Sequence, residues 1–325
     1  MIRATRKKVA GAPTPMAGLA LGIASLGWCW ENAADLNGYG QLTGAAIASL
    51  LLMVLLVKFI CHPKLLWDDL THPVVGSVVP TFAMALMVVS KAVGQYFPLT
   101  GQALWLVAVA LHLVFLLLFA YHRVSEFELH HMVPSWFVPP IGIIVADVSF
   151  PGGELHQLAE GLLYFGMVAY AVLLPLMVYR LIFCHEIPDA AKPTIAIMAA
   201  PASLSLAGYL TVAVEPSPLV IGLLAGIAVL MTFVIYLAFY RLLRLPFSPG
   251  YAAFTFPMVI SATALFKAAA WMAGMGLESH YVGQVLMLAK AELFIATLVV
   301  GYVALRYLAY YRPVSQMFRP LPQQA

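Results

Sequence analysis

Long apolar runs broken by short polar or turn-forming stretches follow one another along the whole chain. A membrane-spanning helix uses about 20 apolar residues. On that measure the runs predict ten spans: Pro15–Trp30, Gly40–Ile60, Val74–Val93, Leu104–Tyr121, Pro134–Val148, Leu155–Phe183, Thr194–Val214, Leu219–Tyr240, Tyr251–Ala273 and Val282–Tyr310. The first and fifth are short, while the sixth and tenth are long enough to tilt or to protrude into water.

Composition agrees with the pattern. Of 325 residues 63% are hydrophobic and 10% charged, and the mean hydropathy is +0.93. A soluble domain needs roughly a quarter of its residues charged to clothe its surface, so a water-soluble enzyme is excluded. Cys29, Cys61 and Cys184 have no CxxC pairing and lie in or beside apolar runs, where a free thiol behaves as a small hydrophobe. Neither a disulfide framework nor a metal site is expected from them.

Charge placement tests the register independently, because cytoplasmic loops retain Lys and Arg. With the amino terminus inside, that side collects Arg3, Arg6, Lys7, Lys8, Lys58, Lys64, Arg123, Arg180, Lys192, Arg241, Arg244, Arg306, Arg312 and Arg319, 14 of the 17 basic residues. Lys91 alone falls outside, and Lys267 and Lys290 lie within spans. The outer connections carry Glu31, Asp35, Asp147, Glu154, Glu215 and Glu278. The domain plan is therefore a cytoplasmic tail over 1–14, one transmembrane domain over 15–310 and a second cytoplasmic tail over 311–325. No small-residue cleavage site ends a short apolar core, which argues against a removable signal peptide.

Proline separates odd spans from even ones. Pro15, Pro80, Pro139 with Pro140, Pro201 and Pro257 fall in spans one, three, five, seven and nine, at intervals of 65, 60, 61 and 56 residues when Pro140 is the marker. Each interval equals two helices with their loops, so the chain reads as five consecutive helical hairpins. Among even spans only the sixth carries an internal proline, Pro175. Proline removes a backbone donor and bends the helix. In hydrocarbon the freed groups are tolerated where they face protein or a watery cavity. Five kinked inner helices ringed by five straighter outer ones would enclose an axis, and that axis is a candidate pore.

Charged residues within spans are few: Lys267, Lys290 and Glu292. Lys267 is expected to snorkel to the headgroups or to pair with Glu292 on the neighbouring helix. The odd spans instead offer small, hydroxyl and aromatic residues, with Phe82, Gly142, Ser205 and Thr255 as candidate pore lining. A lining without fixed carboxylates, in a chain of net charge +3, suits an anion better than a cation. Gly18 and Gly22 spell GxxxG, a motif for close helix packing. His130 and His131 are adjacent and point apart on a regular helix or strand, so they are read as solvated rather than as ligands.

The stretch Pro13-Thr-Pro-Met-Ala-Gly-Leu-Ala-Leu-Gly22, His72-Pro73, Pro139-Pro140, Ala200-Pro201-Ala202 and Phe247-Ser-Pro-Gly-Tyr-Ala-Ala-Phe-Thr-Phe-Pro257 together resemble the tellurite-resistance/dicarboxylate transporter family. That family includes bacterial TehA proteins, plant slow-type anion channels, fungal malate carriers and sulfite exporters. The likeness runs from Pro13 to about Arg312. It implies an all-α membrane protein of ten helices in five quasi-fivefold hairpins, a central pore in each protomer and a homotrimer. It also implies a pore gate formed by a phenylalanine on the ninth helix, which matches Phe256, with Phe254 the nearest competitor. The function implied is a passive channel for small anions in the bacterial inner membrane, needing no cofactor and performing no catalysis. The alternative is a proton-coupled carrier or exporter of C4-dicarboxylate, sulfite or tellurite, for which His112 and Glu292 are the attractive titratable groups. The usual aromatic pair before the gate stretch is replaced by Tyr251-Ala252-Ala253, which lightens one face of the ninth helix.

Overall fold

The computed structural model describes residues 9–311, which are helical with no strand among them. The basic cluster Arg3, Arg6, Lys7 and Lys8 and the tail from Arg312 lie outside the described residues. Ten helical segments run up and down: α1 (Met16–Ala33), α2 (Tyr39–Cys61), α3 (Val75–Gly94), α4 (Pro98–Ser125), α5 (Pro134–Val148), α6 (Gly153–Phe183), α7 (Lys192–Val212), α8 (Pro218–Leu242), α9 (Pro249–Gly274) and α10 (Ser279–Tyr311). A short amphipathic helix, Pro63–Thr71, joins α2 to α3. Eight of the ten, all but α1 and α5, are long and apolar enough to cross a bilayer. The protein is an all-helical integral membrane protein. Of the other two, α1 ends on the polar pair Glu31-Asn32, and α5 is broken into four short pieces.

Burial divides the segments by parity. In their most apolar windows α3, α7 and α9 are 78, 83 and 89% buried, whereas α2, α4, α6, α8 and α10 lie between 28 and 39%. All of α5 except Pro140 is buried. The inner ring closes on itself: α1 packs on α3, α3 on α5, α5 on α7, α7 on α9, and α9 on α1. Each outer helix leans on its hairpin partner and on the next inner helix, so α2 touches α1 and α3, and α10 touches α9 and α1. Outer faces present side chains such as Leu50, Leu117, Leu219 and Phe294. Apolar exposure of that extent requires lipid or another protein surface as its solvent.

Close approach between hairpin partners depends on glycine. A Cβ added at Gly44 of α2 would stand 2.8 Å from the Ile23 carbonyl oxygen and 3.2 Å from Gly27 Cα, both backbone atoms of α1. The Gly18/Gly22 motif serves the same end between α1 and α9: a Cβ at Gly18 would sit 3.4 Å from Ala252 Cβ, and one at Gly22 would strike the Thr255 side chain.

The prolines stand elsewhere than expected. They do not kink helices midway; they lie where a tight or irregular entry gives way to regular α-helix. Pro15 and Pro80 are the residues immediately before Met16–Ala33 and Thr81–Gly94. Pro201 opens the α-helix Ala200–Val212 after an eight-residue 3₁₀ run, Lys192–Ala199. Pro257 lies in the first turn of Thr255–Gly274, after the 3₁₀ run Pro249–Phe254. Pro139 and Pro140 sit in a single α-turn, Val138–Ile141, flanked by 3₁₀ turns. The first turn of an α-helix has no intrahelical use for the N–H that proline lacks, so these positions tolerate it. In α7 and α9 the segment is thus a two-part rod, 3₁₀ before its proline and α-helical after it, whereas the piece before Pro80 is a short α-turn and 3₁₀ turns stand on both sides of the proline pair of α5.

Because only backbone faces Gly44, Gly44→Leu must push α1 and α2 apart. Overpacking of this kind costs about 1–3 kcal/mol, so the thermal midpoint of the detergent-solubilised variant should fall clearly below that of the parent; an unchanged midpoint would show that the hairpin is not close-packed there.

Candidate functional site

The entries of all five inner segments surround a cavity of about 410 Å³ on the axis of the ring. It opens on the face where odd helices begin and even helices end, which also carries Val9 and Tyr311. A 3₁₀ helix is thinner than an α-helix, since it rises about 2.0 Å per residue, so the 3₁₀ entries of α5, α7 and α9 leave room where α-helices would close together. The deepest lining residues are Leu21 of α1, Met84 of α3, Gly142 of α5, Leu204 of α7 and Phe256 with Pro257 of α9. These form an apolar collar. Phe256 is 7% exposed and, with Phe137 of α5, is one of two aromatic rings in the cavity lining among the described residues.

The mouth carries the polar groups. Lys58, near the end of α2, donates to Thr14 Oγ1 at 2.9 Å and pairs with Asp69 Oδ2 at 3.3 Å, and the Thr14 hydroxyl donates to the same carboxylate oxygen. All three residues line the cavity. Deeper in, Thr194 Oγ1 is turned back onto the Ala191 carbonyl at 2.6 Å, and Thr81 Oγ1 onto that of Val78 at 2.6 Å. The walls therefore present little free polarity between the mouth and the collar.

The irregular backbone is satisfied by protein. The Ala200 N–H reaches back to the Ile197 carbonyl in 3₁₀ fashion. The Pro139 carbonyl oxygen lies 2.8 Å from His112 Nε2 of α4, a fully buried ring. His112 is thus a support for the broken α5 rather than a group facing the axis.

A sequence match to the SLAC1 family, described as voltage-dependent anion channel, spans residues 16–308, nearly the whole of the ring. The chain belongs to this family. It is also 29% identical over 237 residues to the uncharacterized transporter MJ0762 of Methanocaldococcus jannaschii, covering 64% of this chain and 68% of that one. A second uncharacterized transporter of the same organism, MJ0576, is 29% identical over 216 residues, 58% of this chain and 62% of the relative.

Within this SLAC1-family ring, the residues singled out from sequence fall into two groups. Phe256 and Gly142 line the cavity. Phe254 does not: it is fully buried and packs on Phe239 of α8, with ring centroids 5.4 Å apart, and on Tyr251 at 4.8 Å. Phe82 faces α2, its ring 6.0 Å from that of Phe59. Thr255 bonds the Gly18 carbonyl at 3.1 Å and so ties α9 to α1. Ser205 is buried away from the cavity lining, its hydroxyl without a protein partner. No ion pair joins Lys267 to Glu292 among the described residues. Glu292 is buried on α10 and leaves Oε2 without a protein donor.

Three placements differ from the sequence reading. Asp147 is not in a wet outer connection: it lies in the last turn of α5, fully buried, with both carboxylate oxygens lacking protein donors. His130 and His131 do not point apart: they sit on a 3₁₀ turn that brings their rings to 4.2 Å and both toward Glu128, at 3.1 and 3.6 Å. The Lys58, Asp69 and Thr14 cluster was not anticipated. Its signal is a lysine in the last turn of a span followed by an aspartate on a short amphipathic helix.

Replacing His112 by leucine would leave the Pro139 carbonyl buried without a partner, at a cost of about 1–3 kcal/mol. The expected result is a lowered melting temperature in detergent, with His112→Gln recovering part of the loss. A leucine variant as stable as the parent would mean that the bond supports nothing.

Proposed function

We propose that the chain is an anion channel in which small anions pass passively along the axis of each protomer, with Phe256 as the plug. The observation that carries this reading is the axial cavity built from all five inner segments and ending on that ring. An apolar ring across a narrow conduit dewets it, and moving the ring aside admits water and with it an ion. The wall has one cation, Lys58, and its charge is offset by Asp69, so the vestibule carries no fixed net charge from that pair. Membership of a family described as voltage-dependent anion channel supports the anion class. On the Lys and Arg bias, both termini and the vestibule face the cytoplasm of a bacterial inner membrane, and the resemblance to TehA-like proteins supports a homotrimer.

One observation favours a second reading, a proton-coupled carrier of C4-dicarboxylate, sulfite or tellurite. A carrier needs a titratable group within the bundle. Asp147 is such a group on an inner helix, fully buried and without a protein donor. Planar-bilayer recording of purified protein separates the two. A channel gives currents whose reversal potential follows the anion gradient alone, whereas coupling moves the reversal potential with a pH gradient.

Under the channel reading, Phe256→Ala should raise anion flux into liposomes severalfold with expression and oligomer size unchanged. Phe254→Ala should leave flux near the parent level and lower stability instead, because that ring packs between α9 and α8. Equal flux from the parent and Phe256→Ala would remove Phe256 from the plug role.

A further inference from the structure

Beyond the collar, two lysines share the far half of the inner ring. Lys91 lies on α3 seven residues after Met84, and Lys267 lies on α9 eleven residues after Phe256. At 3.6 residues per turn, seven residues return to within about 20° of the starting direction, and eleven do the same. Met84 and Phe256 both line the axial cavity at its deep end. Lys91 and Lys267 therefore leave their helices on the axis-facing sides, about 10 and 16 Å further along.

Neither ammonium has a counter-charge. No ion pair includes Lys91 or Lys267 among the described residues. Lys91 Nζ spends one donor on the Phe150 carbonyl, at 2.9 Å, in the connection after α5. Both lysines project toward the same axis on the same half of the ring, where like charges repel. The carboxylates on neighbouring inner and outer segments, Asp147 of α5 and Glu292 of α10, pair with neither. Helix dipole stabilisation accounts for Lys91, three residues from the end of α3, but not for Lys267, about two turns before the end of α9. Nor does Lys267 stand in a lipid-facing stretch, since Phe266 and Ala268 on either side are buried. Half-buried like charges on an axis, with unused donors and no partner, are stabilised by an anion between them.

We propose that Lys91 and Lys267 form an anion-capture site at the far mouth of the passage, taking a small inorganic anion such as a halide or an oxyanion through ammonium hydrogen bonds. This site would raise the local anion concentration on the side of the plug opposite the vestibule. It rests on the proposed passage of anions along the axis and assigns its second entrance.

The test uses the full chain and two readouts. In liposomes, anion uptake is followed against chloride or nitrate concentration for the parent, Lys91→Met, Lys267→Met, the double variant and the charge-keeping Lys267→Arg. The half-saturating concentration should rise about tenfold in each methionine variant, as expected for losing one charge of a partly desolvated pair, and Lys267→Arg should stay near the parent. In detergent, the stabilisation of the parent by added chloride or nitrate should vanish in the double variant, whereas Lys58→Met at the vestibule should retain it. Parent-like concentration dependence and parent-like anion stabilisation in the double variant would overturn the site while leaving conduction standing. If the parent carries no anion at all, the channel reading fails, and the detergent measurement alone then decides for or against binding by the two lysines.

Discussion

Within hydrocarbon a backbone polar group has no water to fall back on, and that constraint orders this molecule. Each inner segment departs from regular α-helix around a proline, and each departure must find its hydrogen bonds in protein. Some are found locally, as where the Ala200 N–H reaches Ile197 in a 3₁₀ turn. Others need a neighbour, as where His112 of α4 meets the carbonyl of Pro139. A broken segment with such needs cannot face lipid, so it goes inside, and an unbroken neighbour covers it. The closed ring of α1, α3, α5, α7 and α9 follows from where the prolines fall.

The same breaks create the cavity. Side-chain volume alone would not leave an axial space in so apolar a bundle, because helices close until their small residues touch, as α1 and α2 do across Gly27 and Gly44. The thin 3₁₀ entries of α5, α7 and α9 hold off that closure on one half of the axis, and the α-helical continuations of α1, α3, α7 and α9 permit it on the other. The result is polarised: a vestibule at the face bearing the helix starts, then a collar of Leu21, Met84, Leu204 and Phe256. Charge follows the same division. Lys58 and Asp69 offset each other at the open end, and among the described residues no carboxylate pairs with Lys91 or Lys267 on the far half.

The spans could be read from sequence because hydrocarbon imposes a length, and the odd and even roles because proline imposes a location. What could not be read was rotation. Phe254 and Phe256 are two residues apart, about 200° around a helix, and sequence offers no absolute reference for which of them meets the axis. The same ambiguity placed Phe82, Ser205 and Thr255 among the candidate lining, whereas Phe82 faces α2 and Thr255 fastens α1. The prolines misled differently: a proline within an apolar run is compatible with a mid-helix kink or with a helix that starts there, and only the preceding 3₁₀ turns distinguish the two. Asp147 was counted with an outer connection because a carboxylate near a span end is ordinarily solvated, and the packing around the last turn of α5 buries it instead. His130 and His131 were separated by assuming a regular element where the chain makes a 3₁₀ turn.

Gly142 shows how these constraints converge on the collar. It is the position there that contributes no side chain, and a Cβ on it would stand 2.7 Å from Met84 Sδ and 3.0 Å from Met84 Cε. The absence of that one carbon leaves the space against α5 that the end of the Met84 side chain fills. Gly142 opens the 3₁₀ turn that follows the proline pair, and His112 meets the carbonyl of the first of those prolines. On the proposed reading of Phe256 as a plug, the collar must be narrow enough for one ring to close and loose enough to let it turn: Leu21, Met84 and Leu204 supply bulk there, and Gly142 supplies none.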